Sequence, residues 1–276
     1  MTDDRAQAPG GPDRFAARDG TMLAFRRSGS GPPLVLVHGT VSDGGRWRPI
    51  LPFLEPFFSV FAVDRRGHGE SGEAGDYRIE DEFDDVARLV ETIGLGPAHL
   101  IGHSFGALCV LGAACRAGVA RRVVLYEPPL PARPEAYFAR DLIPAMRAAM
   151  TRRDAEAAVS AFLSDAFEMG AEEILAFRRS AMWTRFLDRA PNILRELEAV
   201  DRLARAPHLF AACAAPALVV VGGESGPQYR GTAALLHRVL PSSRVAVLDG
   251  QGHGAIDAAP AVFAAETIAF LADLSG

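Results

Sequence analysis

Cysteine is scarce in this chain: three residues (Cys109, Cys115, Cys213) among 276, without metal-ligand spacing or a disulfide framework. They read as buried free thiols of a reducing, cytoplasmic compartment. No run of about 18 apolar residues occurs, so no membrane-spanning helix is expected. Residues Met1 to Gly20 are polar and lack the apolar core of a signal peptide, so secretion is not expected. The basic excess that nucleic acid or an anionic membrane would need is also missing, since the net charge is −5 and the pI about 5.8. Gly222-Gly223 is not followed by the Lys-Ser/Thr of a phosphate-binding loop, and no cluster of His, Cys and carboxylates has metal spacing. Neither a metal nor a cofactor is therefore expected, and no internal repeat is visible. The expected partner is a small-molecule substrate.

What is present is a rhythm. Asp19-Gly20 between Phe15–Arg18 and Thr21–Arg26 predicts a hairpin. Short apolar runs follow at Leu34–Val37, Val60–Val63, Ala98–Ile101, Val123–Tyr126, Leu218–Val221 and Val245–Leu248. Each suits a strand buried on both faces. Helical patterns lie between them: Ile79, Phe83, Val86, Val90 and Ile93 recur at steps of three and four, with acids expected on the opposite, solvent face. Near the end Phe263, Phe270, Leu271 and Leu274 repeat the pattern. The fold class is α/β, a mostly parallel twisted sheet flanked by helices. Between about Pro131 and Pro216 the alternation stops. Candidate helices at Ala136–Met150, Asp154–Phe167, Glu172–Trp183 and Ile193–Ala204 predict an inserted helical cap over residues 131–215, with residues 1–130 and 216–276 forming the core.

One pentapeptide stands out. Gly102-His103-Ser104-Phe105-Gly106 follows an apolar run and precedes a helix-forming stretch. That context predicts a nucleophile elbow, with Ser104 on a sharp strand-to-helix turn. The other motifs are His38-Gly39-Thr40 after the first buried strand, Asp64-Arg65-Arg66-Gly67-His68-Gly69-Glu70-Ser71 after the next, and Gly250-Gln251-Gly252-His253-Gly254 after the last. In this order and spacing they resemble the α/β-hydrolase family over about Phe15 to Leu274.

The resemblance implies a catalytic order of serine, acid, then histidine. A serine hydroxyl needs a base to act at neutral pH. Two histidines follow the insertion; His237 lies in a helical pattern and reads as a surface residue, whereas His253 matches the family's catalytic base. Most members place the acid after the sixth buried strand as Gly-x-x-Asp, where this chain has Ser225. Two substitutes remain, Glu224 and Glu127. Haloalkane dehalogenases and some lactonases of the family carry the acid after the strand that follows the nucleophile, and Glu127 stands at that place, 23 residues beyond Ser104. Glu127 is favoured, with Glu224 left open. The resemblance also implies an oxyanion hole from the main-chain N–H groups of Phe105 and Thr40. For the Thr40 hydroxyl a third donor and an ordinary turn role are both open. His38, His68, His103 and Asp64 read as structural.

Pocket walls are expected from Phe105, Tyr126 and the cap aromatics Phe138, Phe162, Phe167, Trp183 and Phe186, with Trp183 and Tyr126 as substrate-binding candidates. The chain reads as a cofactor-free serine hydrolase of a small, largely apolar ester or lactone. Alternatives are a carbon–carbon bond hydrolase on the same scaffold, and a small-molecule receptor with little turnover.

Overall fold

The hairpin at Asp19-Gly20 is present, with strands β1 (Asp13–Ala16) and β2 (Met22–Gly29) paired antiparallel across the turn. The computed structural model describes residues 11–73, 75–130 and 141–272. The six apolar runs become β3 (Pro33–Val37), β4 (Ser59–Val63), β5 (Ala98–His103), β6 (Ala120–Tyr126), β7 (Ala217–Gly222) and β8 (Ser243–Leu248), but β8 is the sheet's edge, and Val245 and Val247, expected to be buried, are exposed there. All eight strands form one sheet in the order β1-β2-β4-β3-β5-β6-β7-β8, parallel from β4 to β8. Every residue of β3, β4, β5 and β7 is buried, as a strand covered on both faces requires.

Helices cover the two faces. The first is α1 (Leu51–Leu54); α2 (Ile79–Ile93) and α3 (Phe105–Ala114) follow. All ten residues of α3 are buried, so the helix behind Ser104 is a core element with no solvent face. On α2 the solvent-face expectation fails for two acids: Glu82 is 2% and Asp85 8% exposed. Each is matched to a buried arginine. Asp85 takes a two-pronged bond from Arg66 at 2.7 Å, and Glu82 lies 3.2 Å from the Arg65 guanidinium. A buried charge needs such a partner.

Between β6 and β7 the described residues hold five α-helices, a short 3-10 helix (Pro207–Ala212) and no strand; the α-helices are α4 (Leu142–Thr151), α5 (Ala155–Ala166), α6 (Ala171–Phe177), α7 (Ala181–Asp188) and α8 (Ala190–Ala204). The expected helix Glu172–Trp183 is two helices. Ser180 has an extended backbone, and its hydroxyl bonds the Phe177 carbonyl at 2.7 Å, which ends the first run. The helix expected from Ile193 starts three residues earlier, with Pro191 in its first turn. The start of the Ala136–Met150 candidate, with Phe138, lies outside the described residues, as does Leu274. The insertion has an apolar core of its own, built on Met146, Phe162, Trp183, Phe186 and Ile193. Closing the sheet are α9 (Pro227–Val239), α10 (Ala255–Ala258) and α11 (Pro260–Ala272).

The crossing of α3 over β3 is the tightest joint. A β-carbon on Gly106 would lie 2.2 Å from the Val37 carbonyl oxygen and 2.4 Å from that of His38. Both obstacles are backbone, so neither can rotate away. Gly106→Ala is expected to cost about 2–4 kcal/mol of stability, read as a lower urea midpoint at unchanged slope. A midpoint equal to wild type would show that the joint is slack.

Candidate active site

Ser104 joins β5 to α3 with φ 53° and ψ −127°, a conformation that L residues rarely adopt. The turn is held from below: the Ser104 N–H donates to the Tyr126 carbonyl at 2.8 Å. A β-carbon on Gly102 would meet the Gly106 carbonyl oxygen at 2.4 Å, so the flanking glycines let strand and helix approach. Gly39 is equally constrained, because its β-carbon would stand 2.9 Å from that of Ser104.

The register of β5 and β6 pairs His103 with Tyr126, which puts Ser104 and Glu127 at adjacent strand ends. Glu127 is 1% exposed and has φ 47°, a second strained backbone. Its Oε1 accepts the Gly222 N–H at 2.7 Å, and its Oε2 accepts from His253 Nδ1 at 2.6 Å. Thus the carboxylate crosses the end of β7 to reach the loop after β8. Glu224 is exposed, while Ser225 is buried with its Oγ unbonded beside the Glu127 crossing. With Nδ1–H donated to Glu127, the Nε2 lone pair of His253 is free to take a proton.

The His253 ring is gripped on its faces. His103 lies 4.6 Å away between ring centres and donates Nε2–H to the His253 carbonyl at 3.1 Å; Tyr229 stacks at 5.1 Å and 21°. Tyr229 was invisible as a functional residue in the sequence, although Gly226-Pro227 does mark the helix start that carries it. Tyr126, expected in the pocket wall, is instead fully buried beneath the site. Its hydroxyl bonds the Gly252 carbonyl and accepts the Ala255 N–H at 3.1 Å, fixing the loop that holds His253. His38 uses both nitrogens structurally: Nδ1–H donates to the Gly39 carbonyl at 2.8 Å, and Nε2 accepts the Arg65 N–H at 3.0 Å. Asp64 likewise ties two loops, accepting the Gly44 and Glu70 N–H groups at 2.7 and 2.8 Å. His237 is exposed on α9.

Ser104, His253, Thr40 and Phe105 share one cavity of about 700 Å³ under the inserted helices. Its apolar wall includes Phe162, Phe167, Met182, Phe186, Ile193 and Leu197. Trp183 is not in that wall. It packs into the core of the insertion, against Phe177 and under the Arg178 guanidinium, whereas its neighbour Met182 lines the cavity. Three of the strained non-glycine residues, Val41, Ser104 and Glu168, line the same cavity. Among the described lining residues the one arginine is Arg46, ion-paired with Asp257, and there is no lysine. Glu196 of α8 also lines the cavity, 1% exposed, and it reaches Arg65 and His68 of the core. Its signal was available in the sequence, since Glu196 stands inside the apolar stripe Ile193, Leu197, Val200. Among the described residues no group of His, Cys, Asp and Glu is arranged to hold a metal, and no helix is long and apolar enough to cross a membrane.

A sequence profile described as the alpha/beta hydrolase family matches residues 34–266. The chain is similar to 2-(acetamidomethylene)succinate hydrolase of Mesorhizobium japonicum, 42% identical over 87 residues, which are 31% of each chain. The match to the first curated relatives thus spans about a third of their length. N-formylmaleamate deformylase of Pseudomonas putida matches more broadly, 29% identical across 83% of this chain and 84% of that one. An alpha/beta hydrolase of Sphaerobacter thermophilus shares the fold with a TM-score of 0.82 at 31% identity, covering 94% of this chain and all of that structure.

Four histidines near the strand ends and motif loops carry a stability cost in acid. Burial, reinforced by nearby arginines, lowers His68 and His99 to about 4; burial also drives His38 and His103 well below 6.5. Each folded-state value is depressed, so the stability it contributes is full above pH 6.5 and is lost as pH falls. Glu82 works the other way, raised to about 7 by burial against the pull of Arg65. Unfolding at about pH 5–6 is therefore expected to take up roughly three protons, visible as a falling urea midpoint in that window. His99→Gln should remove about one of them. A midpoint flat from pH 5 to 7 would contradict the sign.

Proposed function

We propose that this chain, which belongs to the α/β hydrolase family, hydrolyses a small, largely apolar ester or lactone through an acyl-enzyme, with no cofactor. The chain is an enzyme of this fold, and the proposal concerns its bond type, its substrate and its residues. The contact between His253 Nδ1 and Glu127 Oε2 at 2.6 Å, made at the cavity that holds the Ser104 elbow, carries the reading. Ser104 Oγ attacks the scissile carbonyl and passes its proton to His253 Nε2, while Glu127 stabilises the imidazolium. The oxyanion forms against the N–H groups of Phe105 and Thr40, which need no reorganisation to receive it. Collapse of the intermediate expels the alcohol oxygen, which takes the proton from His253. A water, deprotonated by the same histidine, then releases the acid and restores Ser104.

Substrate polarity follows from the walls. The relatives are named for a succinate and a maleamate. Here the described lining offers one arginine, already paired to Asp257, against a largely apolar surface. An uncharged ester or lactone suits it better than a dianion. The free thiols Cys109, Cys115 and Cys213 suit a reducing compartment such as the cytoplasm.

Ser104→Ala is expected to lower kcat/KM on p-nitrophenyl butyrate by about a thousandfold or more, with unfolding unchanged. Near wild-type turnover by pure variant protein would remove Ser104 from the mechanism. Glu127→Gln keeps the shape and loses the charge, which should cost about two to four orders of magnitude, against less than about tenfold for Glu224→Gln. The reverse ranking would reassign the acid.

A further inference from the structure

The two edges of the sheet are protected unequally. β1 is short and carries the exposed charges Asp13 and Arg14, the usual means by which an edge strand is kept from pairing with another chain. β8 is longer, runs in unbroken register with β7, and contains neither lysine nor proline. Among the described residues no strand pairs with its outer side. Its inner side fixes which backbone groups point outward. The Ser242 and Leu248 carbonyls accept the Ala217 and Gly223 N–H groups at 3.0 and 2.8 Å, so the even-numbered residues bond toward β7. Ser243, Val245 and Val247 therefore turn their N–H and C=O groups to the free edge. Val245 and Val247 are also 42% and 54% exposed, which puts unpaired backbone and apolar side chains on the same stretch.

The strand is complementary to itself. Basic groups gather at its first end: Arg244, and from the last turn of α9 the exposed Arg238 and His237, whose Nδ1 meets the Ser243 hydroxyl at 2.9 Å. The other end runs into exposed Asp249. A two-fold axis through Ala246, perpendicular to the sheet, lays a second β8 antiparallel to the first and sets each basic end against an acidic one. Val245 then stands opposite Val247 of the second copy, the two exchanging N–H···O=C bonds in both directions, and Ser243 stands opposite Asp249 of the second copy. A slip of one residue would set outward-facing groups against inward-facing ones. We propose that the occupant of this edge is a second copy of the chain, giving a two-fold dimer in which β8 pairs with β8 and one sheet runs through both subunits. No residue of the proposed triad lies on β8.

Sedimentation velocity should find the wild-type protein dimeric at micromolar concentration. Val245→Lys and Val247→Lys each put a charge on the free edge, and each should raise the dimer dissociation constant by about tenfold or more while the circular dichroism spectrum stays that of the wild type. Leu175→Lys changes a comparably exposed residue on α6, in the insertion, and should leave the dimer intact. A wild type that remains monomeric throughout the micromolar range would overturn the proposal and give the β8 edge to a different partner. That result needs no variant, so the proposal stays testable should a lysine variant fail to fold. A dimer that survives both β8 substitutions, or that Leu175→Lys dissolves, would place the interface elsewhere.

Discussion

The site is organised around the bond between Glu127 and His253, which spans three strand ends. The carboxylate leaves β6, is steadied by the Gly222 N–H at the end of β7, and meets an imidazole on the loop after β8. Each of these ends must stop at a fixed height for a 2.6 Å contact to form. The parallel register from β5 to β8 sets those heights. Other features follow as consequences. Tyr126, one residue before Glu127, props the His253 loop from below through Gly252 and Ala255. Ser225 is buried beside Gly222, whose N–H steadies the crossing carboxylate. Exposed Glu224 takes no place in the contact.

A second constraint ties the insertion to the core. Arg65 is buried between Glu82 of α2 and Glu196 of α8, so one guanidinium serves carboxylates from the core and from the insertion. The arrangement is costly in isolation, since buried charges repay their desolvation only when geometry and hydrogen bonds are good. It nevertheless fixes where α8 sits over the proposed oxyanion hole, because a shifted α8 would strand a charge on each side. Asn192 and Arg195 add bonds from α8 to the Gly67 and Arg66 carbonyls at 3.0 and 3.1 Å. The loop after β4 is thus the floor on which the insertion rests.

The parallel strands were legible because each is a short apolar run bounded by turn residues, the pattern that burial on both faces imposes on β3, β4, β5 and β7 and that the edge strand β8 keeps although it is mostly exposed. The elbow was legible because glycine, serine and glycine have few reasons to stand between a strand and a helix. The Glu127 placement could be read from an apolar strand that ends in a carboxylate. Harder were choices that hang on direction around a helix. Trp183 and Met182 are neighbours, and only the crossing of α7 over α5 decides which of them meets the cavity. Glu82 and Glu196 were hidden for a related reason. Glu196 stands inside the apolar stripe of its helix while Glu82 was expected on the solvent face, and the arginine that makes the burial of both tolerable lies far away in sequence, on the loop after β4. Long-range pairing of charge leaves no local mark.

Core and insertion divide the work along this line. The core supplies strained, tightly fixed geometry: Ser104 and Glu127 both hold positive φ at strand ends, and backbone contacts leave Gly102 and Gly106 no room for a side chain. Such a frame can present a nucleophile, a base and two N–H donors, but it says little about which molecule reacts. The insertion answers that question with side chains. Met182, Phe186, Ile193 and Leu197 present apolar surface to the cavity, with the carboxylate residues Asp165, Glu168 and Glu196 among them, the last held by the core's own arginine. Selectivity and chemistry are joined at Thr40, whose main chain is proposed to hold the oxyanion while its hydroxyl steadies Glu196.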